Sequence, residues 1–220
     1  MNGPKRSYTP ALRFTVLTPI YDWVVRHTTR ERKFKSMLLD AASIQDNESV
    51  LDIGCGTGTL LSAISNRAPA ATLTGLDADS NILAIANRKL RAKRIDCELV
   101  EGRSTDLPFA DASFEHIVST LFFHHLAPAD KQATICEIHR VLCSGGSVHV
   151  ADWGRPTGAL QRLAFYPVQL LDGFATTDEH VEGKLTTRFA EGGFDDVNEI
   201  DYLQTMFGTL RLIRATKADV

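Results

Sequence analysis

Cysteine is scarce in this chain and badly spaced for chemistry: Cys55, Cys97, Cys136 and Cys143 are all there are in 220 residues, and no two form a C-x-x-C pair. Such scatter suggests neither a zinc site nor a disulfide framework, so the expectation is buried reduced thiols and no metal. Long apolar runs are missing too. No stretch holds eighteen apolar residues in succession, which excludes an obvious membrane-spanning helix. Lys5 and Arg6 are not followed by the apolar core of a secretory signal, and the expected location is the cytoplasm. Charge of one sign is also lacking: 24 basic residues stand against 27 acidic ones, for a formal charge of −3. A nucleic-acid groove usually needs a basic stripe, so nucleic acid is not an expected partner. No internal repeat or low-complexity segment appears.

What is present is an ordinary globular composition, 44% hydrophobic, long enough to bury a full core in one domain. Its organising stretch is Val50-Leu51-Asp52-Ile53-Gly54-Cys55-Gly56-Thr57-Gly58. Apolar residues around an acid read as a strand buried on both faces, and the glycines let the backbone turn and approach a ligand closely. Leu60, Leu61 and Ile64 then read as a helix. Strand, glycine turn and helix N-terminus make the ligand crevice of a doubly wound sheet. The spacing is G-x-G-x-G, whereas a pyrophosphate loop has G-x-G-x-x-G.

Four further segments extend the pattern. The strand Thr72 to Leu76 ends at Asp77, whose carboxylate at a strand's C-terminal end can accept from both hydroxyls of a ribose. A competing role for Asp77, capping the helix from Ser80 to Lys93, is weakened because Asp79 and Ser80 already offer caps. A third strand, Asp96 to Val100, leads to Arg103-Ser104-Thr105-Asp106-Leu107-Pro108-Phe109. A fourth strand, Phe114 to Thr120, precedes Leu121-Phe122-Phe123-His124-His125-Leu126. After a helix from Asp130 to Leu142, the glycines of Cys143-Ser144-Gly145-Gly146 supply positive φ angles for a turn before the fifth strand, Ser147 to Ala151.

This ordered set resembles the class I S-adenosylmethionine (SAM) methyltransferases over about residues 48 to 216. The resemblance is closest to the branch with ubiquinone and menaquinone C-methyltransferases and bacterial phospholipid N-methyltransferases. It implies SAM as cofactor, bound by Tyr21, Asp52, Gly54, Cys55, Gly56, Asp77, Ala78, Arg103, Ser104 and Thr120. One departure stands out: where the family usually has an Asp or Asn accepting from the adenine amino group, this chain has Arg103, which has only donors. A guanidinium there could stack on the ring instead, and Ser104 offers a backbone donor. On the acceptor side the resemblance makes His125 a packing or orienting residue and leaves His124 free to point at the acceptor as the candidate catalytic group. Adjacent histidines diverge and no third ligand has helical spacing to them, so metal is not expected.

The expected architecture is one α/β domain: a doubly wound, Rossmann-like, seven-stranded and mostly parallel sheet with a C-terminal antiparallel hairpin and a helical lid. Its parts are an N-terminal helical lid (1–47), with a helix from about Arg30 to Ala42, a SAM-binding core (48–154), a substrate-side insertion (155–193) and a hairpin (194–220). The insertion is rich in large apolar residues, with helices broken at Pro156 and Pro167 and a later helix from about Thr177 to Glu191. Phe165, Tyr166, Leu170 and Phe174 are expected to line an acceptor pocket, closed by Tyr8, Phe14, Tyr21 and Trp23. Tyr8, His125, Asp152, Phe165, Tyr166 and Phe174 are the candidate acceptor contacts. The acceptor is then a small, apolar or amphipathic molecule: quinone-like, aromatic or lipid. The pattern leaves peripheral membrane contact and either a monomer or a homodimer open. Two other readings compete: a domain that binds SAM without transferring methyl, and a nicotinamide oxidoreductase. The oxidoreductase fits less well, because the third glycine comes one residue early and no Tyr-x-x-x-Lys pair is present.

Overall fold

The computed structural model describes residues 30–219. Tyr8, Phe14, Tyr21 and Trp23 lie outside the described residues, and with them the lid and pocket closure expected of the N-terminus. Helix α1 (Glu31–Ala42) is followed by β1 (Ser49–Ile53), α2 (Thr59–Ser65), β2 (Thr72–Asp77), α3 (Ser80–Ala92), β3 (Glu98–Glu101) and β4 (Phe114–Thr120). A 3-10 turn (Phe123–His125), α4 (Pro128–Val141) and β5 (Leu142–Trp153) come next. Four short helices then precede the last strands: α5 (Ala159–Ala164), α6 (Tyr166–Asp172), α7 (Phe174–Glu182) and α8 (Leu185–Glu191), then β6 (Asp195–Thr205) and β7 (Gly208–Thr216).

The strands form one seven-stranded sheet in the order β3-β2-β1-β4-β5-β7-β6, parallel through β5, with β7 antiparallel to both β5 and β6. The strand order reverses direction between β1 and β4. In open α/β sheets such a switch point opens a crevice at the strands' C-terminal ends.

Alternation along β1 divides the core. Val50 packs on the face covered by α1, α2 and α3 with Phe34, Leu38, Leu61 and Leu90; Leu51 and Ile53 pack on the other face with Ile135, Ile138 and Phe189. Residues i and i+2 of a strand share a face, so Asp52 points with Val50 toward α1 and α2. The amphipathic helices explain themselves: Leu83, Ala86 and Leu90 of α3 recur at helical spacing and are buried. Asp79 caps α3 by accepting from the N–H groups of Asn81 and Ile82, worth about 1 kcal/mol. Helix α1 also belongs to the core, since Phe34 and Leu38 are fully buried.

Several boundaries differ from expectation. The expected helix over 177–191 is two helices, broken where Gly183 adopts φ 77. Strand β5 starts at Leu142 and carries the irregularity at Cys143–Gly146 within it as a register shift against β4. Only Gly145 of the two glycines has positive φ. Strand β3 begins at Glu98, two residues later than the apolar pattern suggests. All four cysteines are free, but Cys136 is exposed and Cys97 and Cys143 are half-buried; Cys55 alone is buried.

Candidate functional site

The glycine turn sits where β1 ends, and its own donors are engaged. The N–H groups of Gly54 and Cys55 both donate to the Leu76 carbonyl, at 2.9 and 3.0 Å, and that of Gly58 donates to Cys55 O at 3.0 Å. Gly56 N–H donates to Asp77 Oδ2 at 2.9 Å. A phosphate cradle needs such N–H groups turned outward, so this turn is not built for a pyrophosphate. Gly54, Gly56 and Gly58 all have positive φ, between 53° and 72°, and each has a different neighbour. A Cβ at Gly54 would stand 2.4 Å from Phe122 Cδ2, whereas one at Gly56 would meet nothing within 4 Å among the described residues. At Gly58 it would press on Leu90 at 3.2 Å. Gly54 therefore makes room for Phe122 and Gly58 for α3, and Gly56 is the glycine that faces open space.

Asp77, half-buried at the end of β2, accepts from Gly56 and, through Oδ1, from the Asp79 N–H at 3.1 Å. It does not cap α3, a task that falls to Asp79. Its two carboxylate oxygens keep lone pairs for a further donor. Ala78 beside it is half-buried. Asp52 is 1% exposed, and among the described residues both its carboxylate oxygens lack a hydrogen-bond partner. Burial pushes its carboxyl up to about 7, with Lys35 opposing and Asp77 adding to the rise. Cys55 stands beside them, its thiol raised by burial and by Asp52.

Arg103 is exposed in a tight turn closed by the Asp106 N–H donating to its carbonyl at 3.1 Å. Ser104 is buried, its hydroxyl 2.8 Å from that of Thr134 on α4. Thr120 is half-buried at the end of β4, opposite Ala151. The next residue, Leu121, takes φ 52, a left-handed conformation costing a non-glycine residue about 1 to 2 kcal/mol. That strain lies at the switch point, and no residue type in the sequence announces it.

Beyond Leu121 the burial of the two histidines is the opposite of the expected one. His124 is 2% exposed and its Nδ1 lies 2.6 Å from Asp152 Oδ1. Burial alone would neutralise both groups, but each outweighs it for the other: His124 is raised, and Asp152 is held well below the usual carboxylate range. Asp152 is thus ionised and accepts, from His124 Nδ1–H and from the N–H groups of Phe122 (3.1 Å), His124 (3.3 Å) and Trp153 (2.7 Å). With four donors and 1% exposure it has no free face for an acceptor, contrary to expectation. His125 is the accessible imidazole, its side chain 26% exposed, and burial and His124 hold it neutral, down to about 3.

Nor do the adjacent rings diverge. The 3-10 turn stacks them with centroids 3.9 Å apart, and Asp172 from α6 approaches both, at 3.7 Å from His124 and 3.8 Å from His125. The rings are adjacent after all, and the third side chain comes from a distant helix, where helical spacing would not reveal it. Around this cluster, Lys131 Nζ donates to Thr176 O at 2.6 Å and pairs with Glu179 at 3.6 Å, and Glu179 also pairs with Arg188. His180 Nδ1 lies 2.7 Å from Trp153 O and is driven to about 4 by burial. The sequence reading missed Asp172, His180 and Lys131. The only signal available was polar residues recurring in helices otherwise read as apolar.

The insertion divides as well. Phe165 is 2% exposed, packed on Trp153 at 5.4 Å and against Gly208, so it belongs to the core and cannot line a pocket as expected. Tyr166 and Phe174 are exposed, as are Leu160, Leu163, Leu170 and Leu171. Two surface grooves between α1 and α2 are lined by already paired charges, such as Arg67 with Asp40, and touch none of the expected site residues.

A profile of the methyltransferase domain matches residues 50–146. The demethylmenaquinone methyltransferase of Thermus thermophilus is 30% identical over 161 residues, 70% of this chain and 72% of its own length. An uncharacterized methyltransferase of Synechocystis is 27% identical over 206 residues, 89% of this chain and 92% of its own. Among solved structures, a SAM-dependent methyltransferase from Methanosarcina mazei superposes with a TM-score of 0.64 at 21% identity, over 80% of this chain and 95% of that one.

Proposed function

Since the chain belongs to the class I SAM-dependent methyltransferases, we propose that the acceptor it methylates is an aromatic, quinone-like molecule with an apolar body. The observation that carries this is the run of bare apolar side chains on α5 and α6: Leu160, Leu163, Leu170 and Leu171 are each at least 65% exposed. Helix α6 also carries Asp172, which reaches His125 at the end of β4. A relative 30% identical is a demethylmenaquinone methyltransferase, which supports the same chemistry.

The glycine-turn end fits the cofactor. In this reading Asp77 holds the ribose hydroxyls, Gly56 lets the ligand lie close to the backbone, and the unpartnered oxygens of Asp52 take a cationic donor of the methionyl part. Cys55 and Ala78 contribute backbone, Ser104 and Thr120 line the crevice, and Arg103 lies flat against the adenine. Bound SAM supplies an electrophilic methyl group on a sulfonium. What remains for the chain is orientation and the exclusion of water, which need no covalent intermediate. His125, neutral and partly exposed, is the imidazole able to accept a hydrogen bond from an acceptor hydroxyl. His124 and Asp152 hold it in place.

The test is transfer of labelled methyl from SAM to a panel containing a prenylated naphthoquinol, a simple phenol and phosphatidylethanolamine vesicles. Label is expected on the quinol. Asp77→Ala is expected to weaken SAM binding ten- to hundredfold or more, as loss of charge-assisted hydrogen bonds of about 1.5 to 3 kcal/mol each requires. Leu170→Ser with Phe174→Ser should leave SAM affinity unchanged and raise KM for the quinol about tenfold. Label confined to a small polar acceptor overturns the proposal, and a changed oligomeric mass with unaltered turnover would make the apolar face an interface.

A further inference from the structure

We propose that His124, His125 and Asp172 form a binding site for a divalent transition-metal ion of the zinc class. The inference shares His125 and Asp172 with the acceptor site proposed above, and its test, metal titration of the chain alone, does not depend on that reading. One donor atom from each residue lies within 4.8 Å of the other two. The closest approaches to Asp172 are 3.7 Å from His124 Nε2 and 3.8 Å from His125 Nδ1. Donors about 2.0 to 2.1 Å from a tetrahedral zinc ion stand about 3.4 Å apart; both contacts to Asp172 are close to that spacing, and side-chain rotation would have to bring the two imidazoles, within 4.8 Å of each other, to it.

Three details favour an ion over mere proximity. Asp172 has a side chain 5% exposed, yet its Oδ2, the oxygen nearer His124, has no hydrogen-bond partner among the described residues. Burying an acceptor without a donor is costly, and a cation would satisfy it. Next, His124 Nδ1 is held by Asp152 at 2.6 Å, and Nε2 is the ring atom that faces Asp172, at 3.7 Å. A carboxylate behind a ligating histidine is the usual supporting arrangement of a zinc-bound imidazole. Finally, Lys131, the buried lysine near His124, is already engaged by Thr176 O and Glu179, and among the described residues no donor satisfies Asp172 Oδ2. Two imidazoles and one carboxylate are a donor set that suits zinc, and three protein ligands leave a position open to water or an oxygen ligand.

The full chain, untagged and stripped with a chelator, should be titrated with Co²⁺ and then with Zn²⁺. The expected result is one equivalent of Co²⁺ with the visible bands of a four- or five-coordinate ion, displaced by Zn²⁺. Asp172→Asn and His125→Ala should each weaken binding a hundredfold or more. Asp152→Asn, behind the ligand, should weaken it about ten- to hundredfold. Far-UV circular dichroism checks each fold, and His125→Ala, at a partly exposed ring, carries the test if Asp172→Asn does not fold. Absence of a stoichiometric Co²⁺ spectrum in the unaltered chain overturns the proposal, as does affinity unchanged by His125→Ala or by a folded Asp172→Asn.

Discussion

The two sides of the switch point satisfy their polar groups in opposite ways. At the glycine turn after β1, backbone N–H groups are satisfied by the Leu76 and Cys55 carbonyls and by Asp77, and the Asp52 oxygens are left without a partner among the described residues. At the ends of β4 and β5, beneath the insertion, charged side chains are buried and satisfied by one another together with the backbone: Asp152 by His124 and three N–H groups, and Lys131 by Glu179 and the Thr176 carbonyl. The first arrangement leaves a buried carboxylate without a donor, and its cost is carried by that one side chain. The second is a network in which every member depends on its neighbours. Phe122 joins them, since its ring fills the space a Cβ on Gly54 would need and its N–H donates to Asp152.

The largest expected effect tests that dependence. Asp152→Ala leaves His124 buried without its counter-charge and removes the acceptor of three backbone N–H groups, and breaking a buried pair from one side typically costs about 3 to 5 kcal/mol. Urea unfolding should show that loss, with Asp152→Asn falling between the variant and the parent. A loss under about 1 kcal/mol would mean that the buried charges do not act as a network, and the contrast with the glycine turn would collapse.

The same contrast explains what the sequence made legible. Gly54, Cys55, Gly56 and Asp77 could be read because a tight turn and a strand-end acid are set by local residue types at fixed spacing. The sheet followed from the same logic, since strands buried on both faces read as short apolar runs. The other side could not be read. His124, Asp152, Asp172 and His180 come from four elements spread over 57 residues of sequence, and only the packing of α6 and α7 against the strand ends brings them together. Phe165 was misplaced for a related reason: an aromatic residue between two short helices reads the same whether it faces a pocket or the core. The neighbouring histidines were misassigned because the 3-10 turn, which buries His124 and turns His125 outward, leaves no periodic signal in three residues.

A smaller effect concerns the acid left unpartnered at the glycine turn. Asp52 has a folded-state pKa of about 7, above its unfolded value, so the folded chain holds a proton that the unfolded chain has already released. Stability contributed by that proton is complete below about pH 4 and is lost as pH rises toward 7. Asp52→Asn should match the parent at pH 4 and become the more stable of the two above pH 7, by no more than about 4 kcal/mol. Urea midpoints at pH 4, 5.5, 7 and 8 measure it. A difference that does not change with pH would show that the carboxylate is satisfied after all, and would make the glycine turn resemble the other side.

The smallest effect sharpens the comparison where side-chain chemistry departs from the family pattern. Arg103 stands where an acceptor for the adenine amino group is usual, and it offers only donors. The turn that carries it is closed by a backbone bond between Asp106 and Arg103, and Ser104 is anchored to Thr134, so replacing the side chain should leave the loop in place. Arg103 is exposed, which limits what any contact there can contribute. A new acceptor gains roughly 0.5 to 1.5 kcal/mol net, and losing the stacked guanidinium subtracts from that. Arg103→Asp is therefore expected to tighten SAM binding about two- to tenfold, with discrimination between adenine and other purines improving by a similar factor. Calorimetric titration with SAM and with its inosine analogue measures both. If Arg103→Asp binds SAM more weakly and discriminates no better, the guanidinium is itself the adenine contact. This side of the switch point would then also rely on a side chain that fixed spacing alone did not reveal.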